Sequence, residues 1–367
     1  MLNISFLTGT RADYSKIKPF IEYFLTKTYL KVHIFVTGMH LQKKYGETIK
    51  IIVRDFGSSC VIVKDKKKKY ADTTERTANL MKSYDQHLIK DKINYVFVHG
   101  DRPDALAAAL AASFNNIPIC HIEAGDLSGS IDEALRHAIS KLSHDFFVTD
   151  KVARKVLIRL GENKDNIHII GNSSLANCPP SDTHGFKIPY DEYAILIYHP
   201  VTTLTKKDVA KEVRHIMEEL VKSKLNYIVI LPNNDMHNDV IFAEYEHYKQ
   251  NPAFTFYSSL PFDVFTYLLK NAMFLIGNSS CGIKEAPFYH TKVIDIGIRQ
   301  NNRYGNLEQT DFIHLDTPDG IIDALKHISP HKCSFSHSRY RQKLFKKLDQ
   351  VVSEDFWHPQ IQKEFHQ

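Results

Sequence analysis

The chain has 367 residues and a formal net charge of +5. That length exceeds what one hydrophobic core usually supports, so two domains are expected. The modest positive charge suits an anionic small molecule and excludes the strong basic stripe of a nucleic-acid binder. No apolar run approaches the roughly 20 residues of a membrane helix, and MLNISFLTGTR lacks the basic n-region of a signal peptide.

Short β-branched runs alternate with helical patterns from the first residue. Strands are predicted at 3–8, 31–37, 61–63, 95–99, 118–122, 146–149 and 168–170, with apolar residues at helical spacing between them (Ile17, Phe20, Ile21, Phe24). The basic run Lys66–Lys69 reads as a solvated loop. A linker is expected at Asn177–Pro189, rich in Pro, Ser, Asp and Gly. The alternation then restarts, with strands predicted at 193–198, 227–231, 254–256, 274–276 and 292–296. From Ser336 onward the pattern is helical. The expected fold is α/β, two Rossmann-like doubly wound domains facing a central cleft, at 1–180 and 181–350. The last stretch, 351–367, is expected as a C-terminal helix joining the N-terminal domain.

The five cysteines, Cys60, Cys120, Cys178, Cys281 and Cys333, are scattered without a CxxC, and the 20 histidines form no HExxH-like pair. This usage fits a reduced, cytoplasmic setting, and the spacing does not argue for a metal site; no cofactor is expected.

The strand-to-helix turns carry the candidate chemistry. In LTGTRADYSKIKP, a helix opening near Ala12 presents free N–H groups, and Arg11 adds a fork suited to phosphate or carboxylate. In VTGMHLQKKYGET, His40 is a candidate substrate contact that reads, taken alone, more as a packing or capping residue than as a ligand. Asp101 follows His99-Gly100, and Glu123 follows His121-Ile122. Charges directly after buried strands are costly unless paired or functional. Asp132 and Glu133 open a helix and are equally the acids a helix N-terminus draws; Arg136 shares their face. Carboxylates at neighbouring strand ends converge on one site and are suited to proton transfer. In the second half, His199 ends a strand, Pro232-Asn233-Asn234-Asp235 is a polar turn, and Gly277-Asn278-Ser279-Ser280 is a phosphate cradle without a Walker lysine. Glu285 is placed to accept ribose hydroxyls, and Arg299 and Arg303 to offset diphosphate charge.

Together, TGTRADYSKIKP, VTGMHLQKKYGET, HGDRPDALA, HIEAGDLSGSIDEALRHAISKLSH, YHPVTT, PNND and GNSSCGIKEAP…DIGIRQ resemble the UDP-N-acetylglucosamine 2-epimerase family, most closely its hydrolysing branch in bacterial sialic acid synthesis. The likeness spans nearly the whole chain in order. It implies a glycosyltransferase-B fold, a homodimer, UDP-GlcNAc as the small-molecule substrate and no nucleic-acid or membrane partner. It implies that Arg11 and Ser15 approach the diphosphate, and that His199, Ser279, Ser280 and Glu285 hold phosphates and ribose. Arg299 would lie near the nucleotide, and Asp101, Glu123 and Asp132 would act at the sugar. The segment Gly171–Asn177 departs from the family's pattern by lacking an acid. Three other readings stay open: a diacetamido-sugar or non-hydrolysing epimerase, a glycosyltransferase of the same fold, and a nucleotide-sugar sensor.

Overall fold

A computed structural model describes residues 1–65, 72–128, 131–177, 186–233, 235–301, 311–328 and 335–366. Lys66–Lys69, Cys178, the middle of the expected linker and Cys333 lie outside the described residues. The chain divides into two compact units, Met1–Cys178 with His337–Gln367, and Pro179–Ser336.

The first unit holds seven strands: β1 Leu2–Thr8, β2 Leu30–Val36, β3 Val61–Lys64, β4 Tyr95–His99, β5 Ile119–Ile122, β6 Asp145–Val148 and β7 Ile167–Ile169. They form one sheet in the order β3-β2-β1-β4-β5-β6-β7, and each neighbouring pair is parallel. Parallel strands buried on both faces need apolar side chains at nearly every position. In β4, Tyr95 and Phe97 enter one core with Phe6, Phe20 and Phe147, while Val96 and Val98 enter another with Leu7, Leu80 and Tyr84. This two-sided burial explains why the strands read as continuous apolar runs rather than alternating ones. The strand order reverses direction at β1/β4, where open α/β sheets bind ligands.

The second unit holds β8 Ala194–Ile197, β9 Tyr227–Ile230, β10 Phe254–Tyr257, β11 Phe274–Gly277, β12 Lys292–Ile296 and β13 Phe312–Leu315, in the order β10-β9-β8-β11-β12-β13. Its switch point is β8/β11. The sequence reading stopped at β12 and missed β13, whose four residues are all only partly buried and include His314. An edge strand of this kind lacks the apolar run that marks its neighbours.

The C-terminal region differs from expectation. The helix is His337–Val351, not 351–367, and everything from His337 onward belongs to the first unit. Leu344 and Leu348, four apart, face that unit's core. Pro359 lies just beyond the short 3-10 turn Asp355–Trp357, and the residue before a proline is barred from continuing a helix. Trp357 meets Tyr95 edge-on at 5.4 Å between ring centroids and Phe97 at 6.4 Å. Such pairs add about 0.5–1.5 kcal/mol each beyond burial.

Among the described residues, no helix is long and apolar enough to cross a membrane.

Candidate active site

In the first unit the β1 turn builds outward from a cap. Thr10 caps the helix Arg11–Phe24, accepting from the Asp13 N–H at 3.2 Å, and Asp13 Oδ2 accepts from the Thr10 N–H at 3.0 Å. This reciprocal capping box fixes the Asp13 side chain. Its other oxygen lies 3.3 Å from His99 Nδ1, at the end of β4. The opposite ring nitrogen of His99 lies 3.5 Å from Glu123 Oε2, just past β5. Glu123 Oε1 lies 3.0 Å from Lys16 Nζ, one turn along the β1 helix from Asp13. Lys16 Nζ also donates to Asn172 Oδ1 at 2.8 Å and Ser174 Oγ at 3.1 Å, in the loop after β7. Asp13, His99, Glu123 and Lys16 thus form one chain of alternating charge at the carboxyl ends of three neighbouring strands.

Asp13, Lys16 and Glu123 are all buried. Burial by itself opposes charge on His99, but its contacts with Asp13 and Glu123 outweigh it and hold the imidazole pKa above the ordinary value. Burial likewise pushes the Asp13 carboxyl up, and His99 and Arg102 more than reverse this, leaving it below the usual carboxylate range. A protonated His99 between two carboxylates is therefore the state the site favours. Glu123 adopts φ +59°, in the left-handed region that a non-glycine residue enters only at a cost.

Asp101 sits one turn away. Arg136, from the helix Ile131–Leu142, pairs with Asp101 Oδ2 and donates to the Asp126 carbonyl at 2.6 Å. Glu133 Oε2 accepts from the Ser128 N–H at 2.6 Å. His121 braces the same turn: Nε2 donates to the Gly100 carbonyl at 2.7 Å and Nδ1 faces Ser140 Oγ at 3.0 Å. Burial pushes its pKa down to about 3, which keeps it neutral.

In the second unit, Asn278 is the centre. Fully buried, it accepts the His199 N–H at 2.7 Å and donates to the His199 carbonyl at 2.9 Å, locking the ends of β8 and β11 together. Its own carbonyl accepts from Gln300 at 2.7 Å and Arg299 at 3.1 Å. His199 Nδ1 accepts the Asn233 N–H at 3.2 Å, so a neutral His199 carries its proton on Nε2. Only glycine fits at 277: φ is +129° and an added Cβ would lie 2.0 Å from the Ile197 carbonyl oxygen.

Known proteins resemble this chain over most of its length. A model of the family described as UDP-N-acetylglucosamine 2-epimerase matches residues 24–349. The chain belongs to the UDP-N-acetylglucosamine 2-epimerase family. It is 35% identical over 336 residues to a UDP-N-acetylglucosamine 2-epimerase of Neisseria meningitidis serogroup B, covering 89% of this chain and 87% of that one. It is 32% identical over 337 residues to a UDP-N,N'-diacetylbacillosamine 2-epimerase (hydrolyzing) of Legionella pneumophila, covering 88% of each. A crystal structure of a Neisseria meningitidis UDP-GlcNAc 2-epimerase bound to UDP-GlcNAc superposes with a TM-score of 0.76 at 17% identity, covering 95% of this chain and all of the other. The fold is the expected glycosyltransferase-B type, with two parallel-sheet α/β units.

Within this family frame, the residues singled out from sequence separate by position. Glu123 lies inside the buried charge chain. Asp101 is joined to Arg136, so Arg136 spends its fork on Asp101 and the Asp126 carbonyl rather than standing clear for a ligand. Asp132 is half-buried in the first turn of its helix. Arg11 is the first residue of the β1 helix and partly exposed. Ser15 is buried and donates to the Ala12 carbonyl at 2.8 Å. His40 is fully buried, with Nε2 3.0 Å from Thr8 Oγ1 and Nδ1 2.6 Å from Thr48 Oγ1. With both nitrogens used and its pKa pushed by burial to about 4, His40 is a brace under the turn, not the substrate contact expected. Ser279 and Ser280 are partly exposed beside Asn278. They precede a helix of only four residues, Cys281–Lys284, that breaks at buried Glu285. So short a helix has little macrodipole, and any phosphate there must rely on discrete donors rather than the helix end expected from sequence. Asn234 and Arg303 lie outside the described residues.

The sequence reading missed Asp13, Lys16, His99, Asn172 and Asn278. Two signals were available. Thr10-x-x-Asp13 is a capping pattern, and Lys16 follows three residues later on the same helix face.

Proposed function

We propose that this protein is a hydrolysing 2-epimerase that converts UDP-GlcNAc and water to N-acetylmannosamine and UDP, the first step of sialic acid synthesis. The observation that carries the reading is the buried Asp13–His99–Glu123–Lys16 chain at the strand ends of the first unit. It holds a carboxylate, a proton-bearing imidazole and a fixed cation in one water-poor place, which is the equipment of general acid–base chemistry.

The hydrogen on carbon 2 is not acidic, so its removal must be coupled to departure of UDP. A carboxylate takes that hydrogen, the electrons form the carbon 1–carbon 2 double bond, and the bond from carbon 1 to the diphosphate oxygen breaks with its electrons going to UDP. The product is a 2-acetamidoglucal. Water then adds hydroxyl at carbon 1, and a proton returns to carbon 2 on the opposite face. Glu123 is assigned as that carboxylate, held by Lys16 and facing His99, with Asp101 and Asp132 as its partners at the sugar. On the second unit, His199, Ser279, Ser280 and Arg299 are assigned to the diphosphate, where they offset the charge that develops on UDP, and Glu285 to the ribose.

The hydrolysing outcome is supported by the Legionella relative, which is named as hydrolyzing and matches over the same span. That relative also favours a second reading, in which the sugar carries two acetamido groups.

The test is incubation with UDP-GlcNAc in deuterium oxide, followed by NMR. Free N-acetylmannosamine with deuterium at carbon 2, and UDP, is expected. UDP-N-acetylmannosamine would instead identify a non-hydrolysing enzyme, and free sugar without deuterium would refute elimination. Turnover of UDP-diacetylbacillosamine but not UDP-GlcNAc would establish the second reading.

A further inference from the structure

Apart from the acid-base chain, the first unit holds a second cluster of ionisable side chains. His33 on β2, His87 near the end of the helix Thr73–Lys90, and Asp91 at its C-cap each offer one ligand atom, and these atoms lie within 4.8 Å of one another. Among the described residues this is the one group of three or more such side chains close enough to share an ion. His33 and its strand partner Ser5 lie three residues back from the carboxyl ends of β2 and β1. The cluster is therefore roughly 10 Å along the strands from the residues assigned to catalysis.

The hydrogen bonds settle which atoms are available. His33 is 1% exposed; its Nε2 faces Asn3 Oδ1 at 3.4 Å, an acceptor, so the proton sits on Nε2. Its Nδ1 then carries a lone pair, is buried, and has no hydrogen-bond partner. A buried nitrogen left in this way costs about 1–3 kcal/mol, and a packed core does not normally retain one. His87 Nδ1 faces Asp91 Oδ2 at 2.8 Å, while its Nε2 faces Ser5 Oγ at 3.0 Å. Ser5 also accepts from Tyr84 at 3.0 Å. A hydroxyl can donate to His87 Nε2 or turn and accept from it, so the His87 proton can move to Nε2 and free Nδ1. Burial holds both imidazoles neutral, with His33 pushed down to about 4 and His87 also lowered. Neutral imidazole is the form that binds metal.

We propose that His33, His87 and Asp91 form a binding site for a borderline divalent transition-metal ion of the Zn²⁺ class, tying β2 to the end of the helix Thr73–Lys90. Two imidazoles and one carboxylate suit Zn²⁺ rather than the all-oxygen shells of Ca²⁺ or Mg²⁺. Atoms up to 4.8 Å apart must draw together for all three to reach the about 2.0–2.2 Å bond lengths of one ion. Asp91, whose side chain is 24% exposed, gives the ion its route in and leaves a fourth position for water. Ser5, through His87 Nε2, supplies the outer hydrogen bond that orients a metal-bound imidazole.

The full-length protein, stripped with chelator, is titrated with Co²⁺ and followed by visible absorption, and with Zn²⁺ by calorimetry and ¹⁵N-histidine NMR. One saturable equivalent is expected, with a tetrahedral Co²⁺ spectrum, displaced ring-nitrogen signals of His33 and His87, and a raised unfolding temperature. Asp91→Asn and His33→Gln should each weaken that equivalent at least tenfold. Asp91 is at the helix end and partly exposed, so Asp91→Asn keeps the test decisive should His33→Gln not fold. Binding that survives Asp91→Asn unchanged, signals that move only on other histidines, or no saturable equivalent would each overturn the proposal.

Discussion

Lys16→Met and Glu123→Gln, made singly and together, probe the buried charge chain directly. Lys16 Nζ and Glu123 Oε1 stand 3.0 Å apart with both residues under 10% exposed. At an effective dielectric of about 20, the gross attraction is about 5 kcal/mol. Removing one partner of such a pair costs about 3–5 kcal/mol, because the other charge stays buried. The structure places Lys16→Met at the lower end, about 3 kcal/mol. Asn172 and Ser174 keep a mutual bond at 2.7 Å, and His99 still faces Glu123 Oε2. Glu123→Gln should cost a similar amount, since Lys16 retains only neutral acceptors. The double variant removes both charges and should lose no more than either single change, giving a coupling of at least about 3 kcal/mol. Urea unfolding followed by circular dichroism gives the three values, and UDP release gives the three rates. Both single variants should lose about 10²–10⁴ in kcat, with no recovery in the double. Single-variant costs that sum to the double within about 0.5 kcal/mol would refute the pairing, and full turnover by Glu123→Gln would remove it from the chemistry.

Further outcomes follow from the same geometry. His99 has a folded pKa above its ordinary 6.5, so its stabilisation is complete below about 6.5 and is lost as pH rises through the folded value. Asp13 is held below 3.8, so its contribution is present above that and lost as pH falls through its folded value. The stability difference between wild type and His99→Asn, measured by denaturation across pH, should therefore peak between about 4 and 6.5; a flat difference would contradict the charged pair. Arg136→Lys keeps a cation near Asp101 but loses the second donor to the Asp126 carbonyl, so kcat should fall at least tenfold with the fold intact by circular dichroism. Gly277→Ala drives a Cβ into the Ile197 carbonyl and should destabilise the second unit by more than about 3 kcal/mol, with UDP binding lost in calorimetry. Asn278→Ala should abolish UDP binding through displacement of His199, to which it is bonded twice.

Sequence patterning located the strand alternation well because buried parallel strands leave continuous β-branched runs, as in Val96, Phe97 and Val98. It failed where that cause was absent. The strand Phe312–Leu315 lies at an edge and is only partly buried; the helical pattern from Ser336 was legible, but the domain boundary was placed too late, at 350, because nothing in local periodicity shows that Leu344 and Leu348 meet the first unit's core. The candidate site was legible at strand ends, where Asp101 and Glu123 stand out against apolar neighbours. Lys16 and Asn172 were not legible, since one sits in an ordinary helical run and the other 156 positions later, joined only by folding. At His40 the residue pattern favoured packing over a ligand role, and its two threonine partners agree with that reading rather than with the substrate contact.

The left-handed backbone of Glu123 sets two selective pressures against each other at one position. By backbone energy alone the site would prefer glycine, which enters φ +59° without the penalty any side chain incurs. Glycine would also remove the buried carboxylate. That loss would strand the buried Lys16, a cost of about 3–5 kcal/mol that outweighs the roughly 1 kcal/mol of backbone strain relieved, so a library of variants at 123 screened only for resistance to heat should still return glutamate over glycine. Glycine winning that screen would show that the backbone, not the ion pair, sets the stability of this turn.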